Sequence, residues 1–154
     1  MKTSLSLKAG VSFEVNTDSQ HSFLIDGSPD IGGQDLGARP MELILAGLGG
    51  CTALDIIHIL RKARQNVIDF KVNVDGQRAD TIPKVFTEIT LEFLLIGDDL
   101  NPIQVERAIK LSAQKYCSVG KMLEKSVQIH HFYSIVDSQN KELVARTCID
   151  CSVE

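Results

Sequence analysis

The chain has 154 residues, of which 44% are hydrophobic and 23% charged, and its net charge is −4 from 16 Lys+Arg and 20 Asp+Glu. This length suits a single domain, and these fractions are those of ordinary globular proteins, which excludes wholesale disorder. No Lys/Arg cluster interrupts the acidic balance, and aromatic residues make up only 5%, so no nucleic-acid partner is expected.

The longest uncharged stretch, residues 43–54, is too short to cross a bilayer, so no membrane partner is expected. The first sixteen residues alternate between apolar and polar side chains instead of forming the apolar block of a signal peptide. A cytoplasmic location is therefore predicted, in which cysteines are more often reactive or buried thiols than a disulfide framework. The chain has four of them: Cys51, Cys117, Cys148 and Cys151.

The first third of the chain predicts three strands followed by a loop. Apolar and polar residues alternate through residues 5–9 and 11–15, and a short apolar run follows at 23–25. Residues 26–39 are rich in Gly, Asp, Ser and Pro and have no core pattern, which predicts a long loop.

Pro40 suits the first turn of a helix, and we expect this helix to extend to residue 65. Its first half is apolar on every side, so a sheet or another subunit should bury it. Gly47, Gly49 and Gly50 each lower helix propensity by roughly 1 kcal/mol relative to alanine. Three such residues just before a cysteine predict a close approach to this backbone.

Three further strands are expected in the second half of the chain. The first covers residues 67–74 and leads into a turn at Asp75-Gly76. The second covers residues 85–93, where Thr and Glu alternate with apolar side chains, and the last covers residues 127–136.

A second long helix is predicted between the last two strands. Asn101 is a suitable N-cap and Pro102 a suitable first helical residue, and the helix is expected to end at Cys117. The order βββ-α-ββ-α-β predicts an α+β fold with a mostly antiparallel sheet. We expect one domain at residues 1–137 and a C-terminal tail with little core pattern at residues 138–154.

A Cys–His catalytic pair on the first helix is excluded by distance. Cys51, Asp55 and His58 share one helical face at positions i, i+4 and i+7. Cys51 and His58 are nevertheless separated by about 10.5 Å along the axis, which is beyond hydrogen-bond reach. His58 is therefore expected to be an interfacial packing residue.

The sequence predicts neither a metal ion nor a cofactor. His130 and His131 are adjacent on a strand and point to opposite faces, so they cannot bind one ion together. Cys148 and Cys151 have the C-x-x-C spacing of zinc or redox sites, but no second pair completes four ligands. A frayed terminus is the favoured interpretation of this pair.

Two cysteine motifs carry a family resemblance. The segments R-P-M-E-L (residues 39–43) and A-G-L-G-G-C-T-A-L-D (46–55) surround Cys51, and K-Y-C-S-V (115–119) surrounds Cys117. They resemble the first-cysteine helix and the second-cysteine motif of the OsmC/Ohr family, the osmotically inducible and organic-hydroperoxide-resistance proteins. The R-P-M-E-L and K-Y-C-S motifs are similar to those of an OsmC-like subgroup.

The resemblance implies an intertwined homodimer with two long central helices and active sites at the subunit interface. It also implies a thiol peroxidase, in which Cys51 attacks an organic hydroperoxide and becomes a sulfenic acid. Cys117 would then condense with it to a disulfide, which a dithiol such as protein-bound dihydrolipoamide reduces. The alternatives are an OsmC-fold protein without peroxidase activity that binds a small hydrophobic ligand at the dimer interface, or a redox sensor.

The family's peroxidases carry an activating arginine in the amino-terminal hairpin, whereas this chain has no arginine before Arg39. Arg39 lies about 18 Å from Cys51 along the helix, so a supporting role would concern the other subunit's cysteine. Glu42, the second supporting candidate, lies one position beyond the place of the family's partner glutamate.

The residues around the two motifs partly support the roles that the resemblance implies for the two thiols. A cysteine that ends a helix faces the negative pole of the dipole, so Cys117 is expected to be the weaker nucleophile. An apolar pocket around Leu43, Leu48 and Leu54 is expected to suit an alkyl hydroperoxide better than hydrogen peroxide.

Overall fold

The structure, a computed structural model, describes residues 1–139 and 141–149. These residues form two compact units, Met1–Ile44 and a second that begins at Leu45. The elements in chain order are β1 (Thr3–Ala9), β2 (Ser12–Thr17), β3 (Ser22–Ile25), a short 3-10 helix (Pro29–Ile31), α1 (Pro40–Lys62), β4 (Asn66–Arg78), β5 (Phe86–Asp98), α2 (Pro102–Leu111), a π-helical segment (Ser112–Tyr116), α3 (Ser118–Leu123), β6 (Gln128–Asp137) and β7 (Leu143–Ile149). The predicted α+β class is confirmed.

The first unit is an antiparallel sheet in which β2 lies between β1 and β3. The loop that follows β3 is organised around Asp26. Its carboxylate accepts hydrogen bonds from the backbone N–H groups of Leu36, Gln34 and Gly27. These donors hold the pKa of Asp26 below its usual range. The loop predicted at residues 26–39 is therefore ordered by one buried carboxylate.

The second unit has a four-stranded sheet in the order β4-β5-β6-β7. Strand β5 pairs in parallel with β6, and the other two pairings are antiparallel. Alternate residues of β5 are buried, as its sequence pattern predicts. The helices contribute buried apolar residues to the core of this unit: Leu48, Ile56 and Leu60 from α1, and Val105, Ala108 and Ile109 from α2.

The turn predicted at Asp75-Gly76 is wrong, because both residues lie inside β4. This strand stays paired with β5 as far as Arg78. A Cβ atom on Gly76 would lie 2.5 Å from the aromatic ring of Phe86. Glycine at this position therefore makes room for a packed ring and does not mark a turn.

Strand β7 lies in the segment expected to be a tail. It pairs with β6 from Leu143 to Ile149, and Ile149 is its buried residue. A strand held mainly by backbone hydrogen bonds along the edge of a sheet needs little apolar patterning, which explains why the sequence did not predict it. Cys148 belongs to this strand, whereas Cys151 lies outside the described residues.

The glycines of α1 have different surroundings. A Cβ atom on Gly49 would lie 2.8 Å from Cγ2 of Val74, so the predicted close approach exists on this face of the helix. Around Gly47 and Gly50 the described chain leaves open space within 4 Å. Intrachain packing therefore accounts for one of the three glycines.

Helix α1 is long and apolar enough to cross a membrane by length and composition alone, and 28% of its most apolar window is buried. The short uncharged stretch at residues 43–54 is therefore a weak argument against a membrane span, because the whole of α1 is long and apolar enough for one. The same helix places Leu48, Ile56 and Leu60 in the core of the second unit. Core helices of soluble proteins also have this composition.

Candidate active site

Three reactive groups meet where α1 faces the end of the π-helical segment. The Sγ atoms of Cys51 and Cys117 and a carboxylate oxygen of Asp55 all lie within 4.8 Å of one another. Both thiols are free. Cys51 and Asp55 are one helical turn apart, so their proximity follows from α1, whereas tertiary packing brings Cys117 to them.

Cys117 is 1% exposed, and its sulfur has hydrogen-bonding neighbours on both α1 and α3. The backbone N–H of Gly120 donates to Sγ at 3.3 Å, and Oγ1 of Thr52 lies 3.3 Å from the same atom. The Thr52 hydroxyl also lies 2.9 Å from the carbonyl oxygen of Leu48, to which it can donate its single proton. A neutral Cys117 thiol can then donate a hydrogen bond to Oγ1 of Thr52. A Cys117 thiolate can instead accept a hydrogen bond from the Thr52 hydroxyl.

Burial raises the pKa of the Cys117 thiol above its usual range. The hydrogen bonds from Thr52 and Gly120 act in the opposite direction but do not outweigh burial, and neighbouring Cys51 raises the value further. Cys117 is consequently a protonated thiol at neutral pH.

The expectation that the second long helix ends at Cys117 is confirmed, because α2 continues directly into the π-helical segment and Cys117 is the C-cap of that segment. Helix α2 stops at Leu111, and the chain continues as a π-helical turn closed by a bond from the Cys117 N–H to the Ser112 carbonyl. Cys117 itself is the N-cap of α3. Burial is the largest cause of its raised pKa.

Asp55 is held in place by a hydrogen bond from a buried serine. The hydroxyl of Ser112 donates to Oδ2 of Asp55 at 3.0 Å, and Ser112 is fully buried. A carboxylate beside two thiols can receive a proton from one and return it to the other. The same three atoms could also hold a thiophilic cation such as Zn²⁺ and leave its fourth position open.

Arg39 and Glu42, the two supporting candidates, have partners within the first unit. The guanidinium of Arg39 pairs with the carboxylate of Asp35 at 2.9 Å and donates to the carbonyl of Gly27. Oε2 of Glu42 accepts from the Arg39 backbone N–H at 2.8 Å. This bond has the geometry of a capping box at the start of α1, so Glu42 stabilises that helix end.

A cavity of about 680 Å³ lies against Cys117 in the second unit. Its apolar lining residues are Leu48, Ala113, Val127, Ile129 and Ile149, and its polar ones include Thr52, Lys125, His130, His131 and Cys148. Within the part of the chain that the structure describes, Cys51 does not line this cavity.

Within the described part of one chain, the cavity is lined by Leu48, one of the three leucines expected around a pocket, and not by Leu43 or Leu54. Leu48 is buried against the cavity, whereas the side chain of Leu54 is 72% exposed. Six residues along a helix amount to one and two-thirds turns, so these two leucines lie on different faces of α1.

The two adjacent histidines of β6 have different surroundings, as their strand position predicts. His130 lies near the carboxylate of Glu88 at 3.5 Å, while His131 is 6% exposed and its ring stacks on Phe93. Burial lowers the pKa of His131 to about 4, and neighbouring His130 adds to the effect. Nδ1 of His131 has no hydrogen-bond partner among the described residues.

His58 of α1, which is expected to be an interfacial packing residue, is exposed in the single chain.

Sequence reasoning missed Thr52, Ser112 and Gly120 as parts of the site. Thr52 could have been found, because a threonine beside a cysteine in an apolar helix often bonds the carbonyl four residues earlier. No spacing in the sequence links Ser112 to Asp55, since those two residues meet only after α1 and the π-helical turn have packed together.

A family model described as OsmC-like protein matches residues 32–132, which is more than half of the chain. This chain belongs to the OsmC-like family. The matched region of the OsmC-like chain includes Cys51, Asp55 and Cys117, whereas Cys148 lies outside it.

The chain is also similar to individual proteins. Protein YhfA of Escherichia coli K12 is 43% identical over 127 residues, which cover 82% of this chain and 92% of that protein. A solved structure of a hypothetical protein from Aquifex aeolicus VF5 is 30% identical, with a TM-score of 0.78 over 88% of this chain and 96% of that one. An organic hydroperoxide resistance protein OsmC from Legionella pneumophila is 16% identical, with a TM-score of 0.62 over 88% and 96%, and shares the fold alone.

Proposed function

We propose that this OsmC-like protein is a thiol peroxidase that reduces organic hydroperoxides with Cys51 and Cys117. The supporting observation is that two free thiols on separate elements lie within 4.8 Å of each other in a fold shared with an organic hydroperoxide resistance protein. Thiols this close need only a small movement to form a disulfide.

The Cys51 thiolate attacks one oxygen of the hydroperoxide, the O–O bond breaks, and an alcohol leaves as Cys51 becomes a sulfenic acid. The Cys117 thiol then attacks the Cys51 sulfur, which releases water and forms the disulfide. A dithiol, such as a protein-bound lipoyl group, reduces this disulfide by exchange and is itself oxidised.

The surroundings of the sulfurs support this order of events. Cys51 is partly exposed, whereas Cys117 is buried and its pKa is raised. Because the thiolate is the form that attacks a peroxide, Cys117 suits the second step. Asp55 moves the proton between the two sulfurs and the departing oxygen, since its carboxylate lies beside both.

The test is mass spectrometry of reduced protein after brief exposure to one equivalent of cumene hydroperoxide, compared with hydrogen peroxide. The expected result is loss of two hydrogens per chain within seconds, a Cys51–Cys117 linkage in the peptide map, and slower oxidation by hydrogen peroxide. Thiols that stay reduced with cumene hydroperoxide would contradict a peroxidase and favour the ligand-binding alternative. Equal oxidation by both peroxides without turnover would favour a redox sensor.

We also propose that two copies of the chain form a homodimer through the exposed face of α1. Gly47 and Gly50 lie in open space on this helix, and Leu54 exposes a large apolar side chain. Small residues without an intrachain neighbour allow a second backbone to approach closely, and an exposed apolar stripe favours association.

The proposed cycle also fits a cytoplasmic location, because a reducing compartment would return both cysteines to the thiol form for the next cycle.

Leu54→Glu is expected to convert the dimer to a monomer, because it places a charge in the centre of that interface. Light scattering on a sizing column would show the mass of one chain, with an unchanged far-ultraviolet circular dichroism spectrum. The matched control is Ile103→Glu on α2, since Ile103 is 74% exposed. A Leu54→Glu protein that stays dimeric would place the interface elsewhere.

A further inference from the structure

The regeneration step requires a thiol to reach one of the two sulfurs of the disulfide. In thiol–disulfide exchange the outcome depends on which sulfur is attacked, on access to it and on the pKa of the sulfur that leaves. In the described part of the chain, Cys51 is partly exposed, and Cys117, although only 1% exposed, lines a cavity of about 680 Å³ that Cys51 does not line. Sites for small molecules typically have volumes of about 300–1,000 Å³.

We propose that the reducing dithiol enters this cavity and attacks the sulfur of Cys117, so that Cys51 is released first. This inference rests on the proposed peroxidase function, because it concerns the second half of that cycle. A thiolate of the dithiol forms a bond to Sγ of Cys117, and the Cys51–Cys117 bond breaks. Its electron pair leaves with Cys51, which takes up the proton lost by the attacking thiol.

The second thiol of the reductant completes the exchange. It attacks the reductant's own sulfur in the mixed disulfide, forms a cyclic disulfide, and releases Cys117 with its electron pair. Cys117 then takes up the second proton, so the protein returns to two thiols and the dithiol has lost two electrons and two protons. The hydrogen-bonding groups of Gly120 and Thr52, each 3.3 Å from Sγ, stabilise Cys117 as it leaves.

The leaving groups support the same order. A thiol with a raised pKa leaves a disulfide slowly, and burial raises the pKa of Cys117. If the reductant attacked the sulfur of Cys51 instead, Cys117 would have to leave in the first, intermolecular step. A poor leaving group slows that step, because no effective concentration of the attacking thiol compensates for it. In the proposed order Cys117 leaves only in the ring-closing step, where the attacking thiol is held beside it and the high effective concentration offsets a poor leaving group.

The lining of the cavity suits the hydrocarbon part of an alkyl dithiol. Leu48, Val127 and Ile129 provide apolar walls, and the exposed Cys148 lies on the same lining. The ring of His131, a buried part of this lining, is neutral at pH 7 and so adds no charge to the wall of the cavity.

The test uses a monothiol, because it stops the exchange at the mixed disulfide. Protein oxidised with cumene hydroperoxide is mixed with 2-mercaptoethanol, quenched with acid at several early times, alkylated and peptide-mapped. The expected adduct is on the Cys117 peptide, with Cys51 alkylated. An adduct on Cys51 with Cys117 alkylated, or a Cys117–Cys148 disulfide, would overturn the proposal. Failure of the starting disulfide to form would instead overturn the peroxidase function.

A second experiment, with a variant, tests whether the reductant enters through the cavity. Ala113→Leu adds bulk to the lining and is expected to slow reduction of the disulfide by dihydrolipoamide at least about tenfold. The matched control is Ala63→Leu, at a half-buried position just beyond α1 and away from the cavity. Measuring disulfide formation in the same proteins separates a regeneration defect from a damaged peroxide site. Equal reduction rates in the two variants would overturn entry through this cavity.

Discussion

Cys51→Ser is expected to abolish turnover of cumene hydroperoxide, with a loss of at least about 10³-fold in rate. Serine keeps the size of the side chain but supplies no thiolate, so the O–O bond is not attacked. The measurement is steady-state consumption of hydroperoxide with dihydrolipoamide as the reductant. Mass spectrometry should show the remaining thiols still reduced after exposure to the peroxide.

Cys117→Ser should behave differently, because it removes only the second step. We expect one equivalent of alcohol per chain in a first turnover and a sulfenic acid on Cys51 that dimedone traps, without an intramolecular disulfide. Cys151→Ser is the matched control, since it makes the same chemical change outside the family match and should retain wild-type turnover. An alcohol burst retained in Cys51→Ser and lost in Cys117→Ser would reverse the two roles.

Acidification from pH 6.5 to pH 4 is expected to destabilise the protein by about 3 kcal/mol through His131 alone. The pKa of this residue is about 4 in the folded chain against an ordinary value of 6.5. Between these values the unfolded chain binds the proton and the folded chain does not, so stability falls as the pH falls. Well above pH 6.5 both states are neutral, and this contribution no longer changes.

The measurement is urea unfolding of the wild type and of His131→Phe at pH 7, 5.5 and 4.5. Phenylalanine retains a ring that can stack on Phe93 and cannot take up a proton, so the variant should lose less stability on acidification. The exposed His21 provides the control His21→Gln, which should follow the wild type. If the stability of the wild type and of His131→Phe changed with pH in the same way, His131 would be protonated in the folded chain as readily as in the unfolded chain, which would contradict the prediction.

Much of the fold can be predicted from local patterns. Alternating apolar residues predict β2 and β5, and the Asn101 cap begins α2 as expected, with its side chain accepting from the Ile103 N–H at 2.9 Å. The turn at Asp75-Gly76 and strand β7 were not predictable in this way. A glycine beneath the Phe86 ring looks like a turn residue in the sequence, and an edge strand held by backbone hydrogen bonds carries little apolar signal.

The sequence alone determined the family resemblance, the α+β class and the two candidate cysteines, because these depend on motifs and periodicity that need no partner. It also placed Asp55 on the face of Cys51, since a helical repeat relates them. Tertiary structure alone decided the surroundings of Cys117. The π-helical turn makes this residue the cap of α3, and packing against Thr52 of α1 removes its sulfur from water. Desolvation depends on chain segments distant in sequence, so no local pattern could report it.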